Sequence, residues 1–122
     1  MTRILAIDPD PTILELLKDV LELEGYRIAA AHSLDESLEM LRQEQFDALL
    51  VDYRILHRWS HHPILAAQLE EIARSVPILC LSTAHMPGSS PPAGTRAMVT
   101  KPFEIAELIA VLHQMMQGSA AG

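Results

Sequence analysis

Four polar side chains each directly follow a predicted strand, and residues of these types could together handle a phosphoryl group. They are Asp8, Asp52, Ser82 and Lys101. A carboxylate can be the nucleophile that forms an acyl phosphate, while a lysine and a hydroxyl can hold the phosphoryl oxygens. Carboxylates can also bind Mg²⁺, which offsets the charge between acceptor and donor. One such acid alone would merely end a strand, but four such residues favour a shared site.

The elements that would position these side chains are strands alternating with helices. Short, mostly apolar runs predict strands at residues 3–7, 26–30, 46–51, 76–81 and 96–100. Apolar residues at helical spacing predict helices that begin after Asp10, after Ser33, near Ile64 and near Ile105. This alternation predicts a doubly wound parallel sheet that is covered on both faces and binds its ligands at the carboxyl ends of the strands.

Capping residues predict where two of the helices begin. Asp10 is a good N-cap with Pro11 as the first helical residue, and Gly25 would end that helix. Ser33 and Glu36 have the spacing of a capping box at the start of the second helix.

Length and composition indicate one globular domain. The chain has 122 residues, of which 49% are hydrophobic and 20% charged, with a formal net charge of -7. The acidic balance argues against non-specific nucleic-acid binding. No apolar run is long enough for a membrane span, and the N-terminus lacks a secretion signal.

The single Cys80 lies in an apolar run and is expected to be buried and unreactive, in a reducing cytoplasm. We expect the domain to occupy residues 1–117, followed by a disordered tail over 118–122.

Five segments, in this order, resemble the receiver domain of bacterial response regulators. They are IDPDP (7–11), GY (25–26), FDALLVD (46–52), PILCLS (77–82) and TKPF (100–103). Each segment alone is a weak signal, but the resemblance covers nearly the whole chain. It implies the flavodoxin-like (βα)5 fold of the chemotaxis regulators, an α/β fold with a five-stranded parallel sheet.

The resemblance also implies a role for each site residue. Asp52 would accept a phosphoryl group from a histidine kinase or phosphotransfer protein, Ser82 would hydrogen-bond a phosphoryl oxygen, and Lys101 would form an ion pair with it. Asp8, Asp52 and the backbone carbonyl of Arg54 would bind Mg²⁺. Such a protein is not expected to be an enzyme, beyond at most removing its own phosphoryl group. The sequence leaves open a homodimer, and also whether the receiver stands alone or belongs to a longer chain.

Two departures from the family pattern affect this site. Pro9 stands where receivers usually carry a second acid, so Mg²⁺ should bind weakly, and the neighbouring Asp10 is better suited to capping the helix. Arg54 could supply positive charge near the acceptor carboxylate, but a solvated loop arginine is the favoured interpretation. In keeping with the family, the resemblance also implies that the peptide bond between Lys101 and Pro102 is cis, which would hold the lysine toward the site.

Two connections also depart from the family. Residues 55–60 are expected to form a loop of unusual shape, with Trp59 packed onto the third helix rather than exposed to a partner. The Pro/Gly/Ser-rich segment 86–94 replaces the fourth helix, and Met98 takes the place of the usual switch aromatic. The family's output route should therefore not operate in its usual form. The proline-rich segment would be a flexible loop or else a strip that binds a protein partner, and residues 86–98 are the region where such a partner would bind.

Four histidines cluster in the sequence around these connections. They are His57, His61, His62 and His85. Paired histidines occur in metal sites, but no cysteine or suitably spaced acid completes this set. Solvated loop positions are therefore favoured over a metal site.

Two other functions fit parts of the sequence. Residues 8–12 (DPDPT) match the Asp-x-Asp-x-Thr signature of haloacid-dehalogenase-like phosphatases, which would make Asp8 the nucleophile, although the late acidic motif and the flap are missing and Asp52 would have no role. Alternatively, the chain is a pseudo-receiver that binds proteins without being phosphorylated. Pro9 and the missing helix favour that alternative, whereas the retained acceptor, serine and lysine argue against it.

Overall fold

The computed structural model describes residues 2–83 and 94–121 of the chain. Within these ranges the strands are β1 (Arg3–Ile7), β2 (Arg27–Ala31), β3 (Ala48–Asp52), β4 (Ile78–Thr83) and β5 (Thr95–Lys101). The helices are α1 (Pro11–Leu23), α2 (Leu34–Gln43), α3 (Tyr53–His61), α4 (Pro63–Ala73) and α5 (Ile105–Ala121). Helices α3 and α4 both lie between β3 and β4.

The five strands form one parallel sheet in the order β2-β1-β3-β4-β5. The predicted doubly wound sheet is therefore confirmed. The order reverses between β1 and β3, and in such sheets the crevice at the reversal is where ligands bind. Ile7 pairs with Val51 across this boundary, so Asp8 and Asp52 end two adjacent strands.

Apolar side chains cover both faces of the sheet, which explains the nearly continuous apolar strands. On one face Ile4, Ala6 and Leu50 pack with residues of α1 and α5. On the other face Leu5 and Val51 pack with residues of α2, α3 and α4. Burying a leucine or isoleucine stabilises the fold by about 1.5–3 kcal/mol, so this alternation fixes which way each strand faces.

The predicted caps are present and position the chain around the carboxyl edge of the sheet. The Asp10 carboxylate accepts the backbone N–H of Thr12 at 2.9 Å, and Pro11 is the first residue of α1. Ser33 Oγ accepts the backbone N–H of Glu36 at 3.2 Å at the start of α2. Because Asp10 caps α1, this helix begins after only a short connection from the end of β1.

The chain after β3 is helical, which corrects the loop that we predicted over residues 55–60. The Asp52 side chain caps α3 by accepting the backbone N–H of Arg54 at 3.0 Å. Ile55, Leu56 and Trp59 lie on one face of this helix and are buried. A short helix gains most of its stability from such tertiary packing, and the loop prediction gave this apolar stripe too little weight.

Trp59 is fully buried at 0% exposure, as predicted, in the core cluster that also contains Leu69 of α4. The presence of helix α3 also changes the surroundings that we predicted for the histidines. His57 and His61 are exposed on α3 rather than in a loop, and His62 caps α4 by accepting the backbone N–H of Leu65 at 3.4 Å.

The connection between β4 and β5 falls largely outside the described residues. Residues 84–93 include His85 and most of the segment expected to replace the fourth helix, so that replacement stays a prediction. At the other end, α5 continues to Ala121, whereas we expected a disordered tail from 118 onward. No proline interrupts this stretch, and Ala120 and Ala121 favour helix, whereas Gly118 does not. The domain boundary at residue 117 stays a prediction.

Helices in the described ranges are all too short or too polar to cross a membrane.

Candidate functional site at the carboxyl edge of the sheet

Asp8 follows β1 and is held by hydrogen bonds from the main chain. Its backbone N–H donates to the carbonyl of Ala31 at 3.1 Å, which extends the pairing with β2. Its Oδ1 accepts the backbone N–H of Asp10 at 2.8 Å. With 0% exposure, the carboxylate is fixed inside the edge of the sheet rather than in the solvent.

Asp52 is the last residue of β3 and is only 2% exposed. Its Oδ2 accepts two hydrogen bonds from Arg54, one from the backbone N–H at 3.0 Å and one from Nε at 3.1 Å. The same carboxylate thus caps α3 and forms an ion pair with the second residue of that helix.

Lys101 joins the two carboxylates. It ends β5, and its Nζ donates to Asp8 Oδ2 at 2.6 Å and to Asp52 Oδ1 at 2.8 Å. These two hydrogen bonds reach across β4 and bring residues from three strands into one cluster. The Lys101–Pro102 peptide is cis, as the resemblance implied.

Ser82 lies on the strand between the acceptor and the lysine. It is one residue beyond Leu81, the pairing partner of Asp52, and it pairs with Thr100 next to Lys101. It is 2% exposed. Its register places Ser82 at the same edge as the carboxylate cluster. The hydrogen bonds described above directly join the other three predicted residues.

The contacts keep the central groups charged. Burial alone would raise the pKa of Asp52, but hydrogen bonds from Lys101 and Arg54 outweigh it and hold that pKa below its usual value. Burial alone would lower the pKa of Lys101, but hydrogen bonds to Asp52 and Asp8 outweigh it and raise that pKa. Near neutral pH the site therefore presents an ionised carboxylate beside an ammonium, which is what a carboxylate nucleophile requires.

A sequence model of the response regulator receiver domain matches residues 4–113. The chain belongs to this family. The receiver is 31% identical over 124 residues to the transcriptional regulatory protein GlrR of Escherichia coli K12, covering 97% of this chain and 27% of GlrR. It is 33% identical over 119 residues to the response regulator MprA of Mycobacterium ulcerans, covering 94% of this chain and 50% of MprA. The receiver thus spans about a quarter to a half of these relatives.

Solved structures resemble the receiver over nearly its full length. TrrA of Thermotoga maritima, in complex with Mg²⁺ and BeF, has a TM-score of 0.77 and 26% identity, covering 94% of this chain and 99% of that one. The signal receiver domain of an HD domain-containing protein of Pseudomonas fluorescens has a TM-score of 0.80, covering 99% and 98%. At 20% identity, the second comparison supports the fold alone.

Membership of this family establishes the receiver as a component of two-component systems and counts against the phosphatase alternative. The geometry also opposes that alternative. Asp10, the second acid of the Asp-x-Asp-x-Thr signature, caps α1 by accepting the backbone N–H of Thr12. Asp8, which would be the nucleophile of such a phosphatase, accepts a hydrogen bond from Lys101.

The residues at this edge fit a Mg²⁺ ion, the cation that receiver domains in general bind. Asp8 and Asp52 converge on one ammonium, so their oxygens lie within reach of a common cation. Mg²⁺ is commonly held by one or two carboxylates while keeping several waters. Pro9 offers no side-chain ligand and is exposed, so Asp8 and Asp52 are the two carboxylates whose positions fit such an ion.

Arg54 is the residue whose contact the sequence interpretation missed. The favoured interpretation was a solvated loop arginine, but its guanidinium bonds Asp52 although its side chain is 66% exposed. The signal was present in the sequence, because Asp52 followed by the apolar spacing of Ile55, Leu56 and Trp59 predicts a capped helix. A residue two positions after an N-cap aspartate lies next to its carboxylate.

The histidines do not join this site. His57 and His61 stack on the exposed side of α3, with ring centroids 4.0 Å apart. Within residues 2–83 and 94–121, no three or more His, Cys, Asp or Glu side chains are grouped closely enough to hold a metal ion.

Cys80 is buried, as predicted. Burial raises the pKa of its thiol to about 12. The protonated thiol is a poor nucleophile at physiological pH.

Proposed function

We propose that Asp52 accepts a phosphoryl group from a histidine kinase or phosphotransfer protein. The observation that carries this proposal is the position of Lys101 Nζ, 2.8 Å from Asp52 Oδ1 and 2.6 Å from Asp8 Oδ2. An ammonium there compensates the negative charge of an ionised acceptor and is placed to pair with a transferred phosphoryl group. Receiver domains of two-component systems interact with such phosphoryl donors as a class.

The proposed transfer forms one bond and breaks one. An Asp52 carboxylate oxygen attacks phosphorus, and the P–N bond of a phosphohistidine breaks. The leaving imidazole nitrogen keeps the electron pair and takes up a proton. Lys101 pairs with the phosphoryl oxygens, and the Ser82 hydroxyl donates a hydrogen bond to one of them. The product is an acyl phosphate on Asp52, whose later hydrolysis returns the free carboxylate.

Mg²⁺ would be held by Asp8, Asp52 and the backbone carbonyl of Arg54. When bound, it would offset the repulsion between the acceptor carboxylate and the negatively charged donor. The related receiver TrrA was solved in complex with Mg²⁺ and BeF, which supports the same ligand class here. We propose that the affinity of this receiver is weak, because Pro9 removes one acidic side chain from the edge.

The output of the receiver belongs to the proposal as well. GlrR and MprA are longer than this chain, which supports a receiver that passes its signal to an attached domain or a separate protein. The segment 86–98 is our candidate for the contact with a protein partner, and a homodimer remains an alternative assembly. The single, buried Cys80 is in keeping with a reducing cytoplasm.

Intact mass spectrometry tests the acceptor. The receiver is incubated with Mg²⁺ and acetyl phosphate, a donor whose P–O bond breaks to release acetate. We expect one added phosphoryl group on the wild type and none on Asp52→Asn. Asp19→Asn is the matched control, because it removes an exposed aspartate on α1. A wild type that stays unlabelled, while an ordinary receiver is labelled alongside it, would support the pseudo-receiver instead.

A further inference from the structure

The acceptor carboxylate has a cation on each of its oxygens. Lys101 Nζ is 2.8 Å from Oδ1 of Asp52, and Arg54 Nε is 3.1 Å from Oδ2. The two cations differ in exposure, because the side chain of Lys101 is 15% exposed and that of Arg54 is 66% exposed. The lysine is thus a fixed part of the interior, whereas the arginine covers the carboxylate from the solvent side.

The charges of the contacting groups are already balanced without a metal ion. Asp8 and Asp52 are buried and contribute two negative charges, while Lys101 and Arg54 contribute two positive charges. Without Arg54 the same cluster would carry one net negative charge and would attract a divalent cation more strongly. With Arg54 in contact, a divalent cation must approach a neutral cluster and compete for an oxygen that already has a cationic partner.

The position of Arg54 is set by the start of α3. Asp52 Oδ2 accepts both the backbone N–H and the side-chain Nε of this residue, so backbone and side chain are anchored to the same atom. Ile55 and Leu56 are buried directly after it, which prevents the first turn of α3 from rotating away. Helix packing therefore fixes the backbone of Arg54 beside Asp52, and the exposed side chain completes the contact through Nε.

Pro9, like Arg54, lowers the attraction of this edge for a divalent cation. It leaves the edge without a second adjacent acid, and Arg54 adds a positive charge to the acid that remains. Both features lower the attraction for a divalent cation.

We propose that Arg54 is a built-in competitor of the divalent cation at Asp52, and that its guanidinium contributes, together with Pro9, to the weak Mg²⁺ binding proposed above. The inference deepens the proposed function, on which it rests for its relevance to signalling. The competition itself concerns the unphosphorylated carboxylate, so it can be tested without any phosphoryl transfer.

The test is a calorimetric Mg²⁺ titration of the full chain at about 0.15 M monovalent salt, where charges farther than about 8 Å are largely screened. We expect Arg54→Ala to bind Mg²⁺ about 2- to 5-fold more tightly than the wild type, the range for loss of a partly exposed ion pair. Arg54→Lys should fall between the two. The backbone carbonyl at position 54 is present in all three proteins.

Arg58→Ala is the matched control. It removes the same charge from the same helix one turn further on, at an exposed position, and should bind Mg²⁺ like the wild type. Pro9→Asp should bind more tightly than the wild type and shows that the titration detects a gain. Thermal unfolding of each variant establishes that it is folded.

An Arg54→Ala protein that is folded and binds Mg²⁺ no more tightly than the wild type would overturn the inference. An equal gain in Arg58→Ala would also overturn it, because the effect would then be one of net charge. If Arg54→Ala gains affinity while Asp52 is never phosphorylated, the competition stands and the proposed function fails.

Discussion

The ammonium of Lys101 donates to Asp52 Oδ1 at 2.8 Å although β4 lies between their two strands. This cross-strand contact unites the ends of β3 and β5, and the second bond to Asp8 adds the end of β1. Two carboxylates that are almost completely buried would otherwise repel each other in a medium of low dielectric constant. The lysine is therefore needed both for the fold of this edge and for the chemistry that we propose there.

Lys101→Met should destabilise the receiver. The substitution keeps the length of the side chain but leaves two buried carboxylates without their shared cation. We expect a loss of about 1–3 kcal/mol in the free energy of unfolding, less than for a fully buried pair. Urea unfolding at neutral pH measures it.

Lys18→Met is the control for Lys101→Met, because Lys18 is exposed on α1. That variant should change stability by less than about 0.5 kcal/mol. Equal losses in both variants would show that the Lys101 contacts contribute nothing to the fold.

The stability that Asp52 contributes should depend on pH with a defined sign. Its pKa in the folded state lies below the usual 3.8, because hydrogen bonds from Lys101 and Arg54 outweigh burial. A depressed pKa gives stabilisation that is present above pH 3.8 and is lost as the pH falls through the folded-state value. The unfolding free energy of the wild type, relative to Asp52→Asn, should therefore be constant near neutral pH and decline at acid pH.

An NMR titration of the Asp52 carboxyl carbon measures this pKa directly. We expect its midpoint below 3.8 in the wild type and a higher midpoint in Lys101→Met. A wild-type midpoint above that value would mean that burial dominates and that the two cations do not hold the carboxylate ionised.

Gly94→Ala should cost more stability than Gly25→Ala. Both glycines have a positive φ, 90° at Gly94 and 92° at Gly25, so a side chain strains the backbone at either position by about 1–2 kcal/mol. At Gly94 an added Cβ would also lie 3.0 Å from Cβ of Ala73, whereas at Gly25 nothing lies within 4 Å. Urea unfolding of both variants should rank Gly94→Ala as the less stable. The reverse ranking would contradict the close approach of the start of β5 to α4.

Cys80 should resist thiol reagents in the folded receiver. Its thiol is fully buried, and burial raises its pKa to about 12. We expect Ellman's reagent to react slowly in buffer and rapidly in urea. Ser75→Cys, which adds a thiol at an exposed position, should react with one equivalent at once. Rapid modification of Cys80 in buffer would show that the interior of the sheet opens readily.

The parallel sheet and the gathering of Asp8, Asp52 and Lys101 at one edge of it follow from the sequence, whereas the order of the strands came from the structure. Parallel strands end on the same side of a sheet, so acids and a lysine placed after successive apolar runs must lie near one another. No knowledge of side-chain contacts is needed for that step. The buried state of Trp59 was also predictable, since a large apolar ring gains about 3 kcal/mol or more from complete burial.

The sequence signal for the helix after β3 was present but weaker than the signal for the strands. This helix is nine residues long, too short to be stable alone, and depends on the packing of Ile55, Leu56 and Trp59 against the sheet and α4. The contact between Arg54 and Asp52 depends in turn on that helix. Expecting a loop at this place therefore concealed the second cation that contacts the acceptor carboxylate, Arg54.

The most direct test of the account is to locate the phosphoryl group. The receiver is labelled with acetyl phosphate and Mg²⁺, the acyl phosphate is reduced with borohydride, and the modified residue is identified by peptide mapping. The account predicts that Asp52 alone is converted, in a reaction that is lost in Lys101→Met. Conversion of Asp8, or no converted residue in a protein that is folded and bound to Mg²⁺, would contradict it.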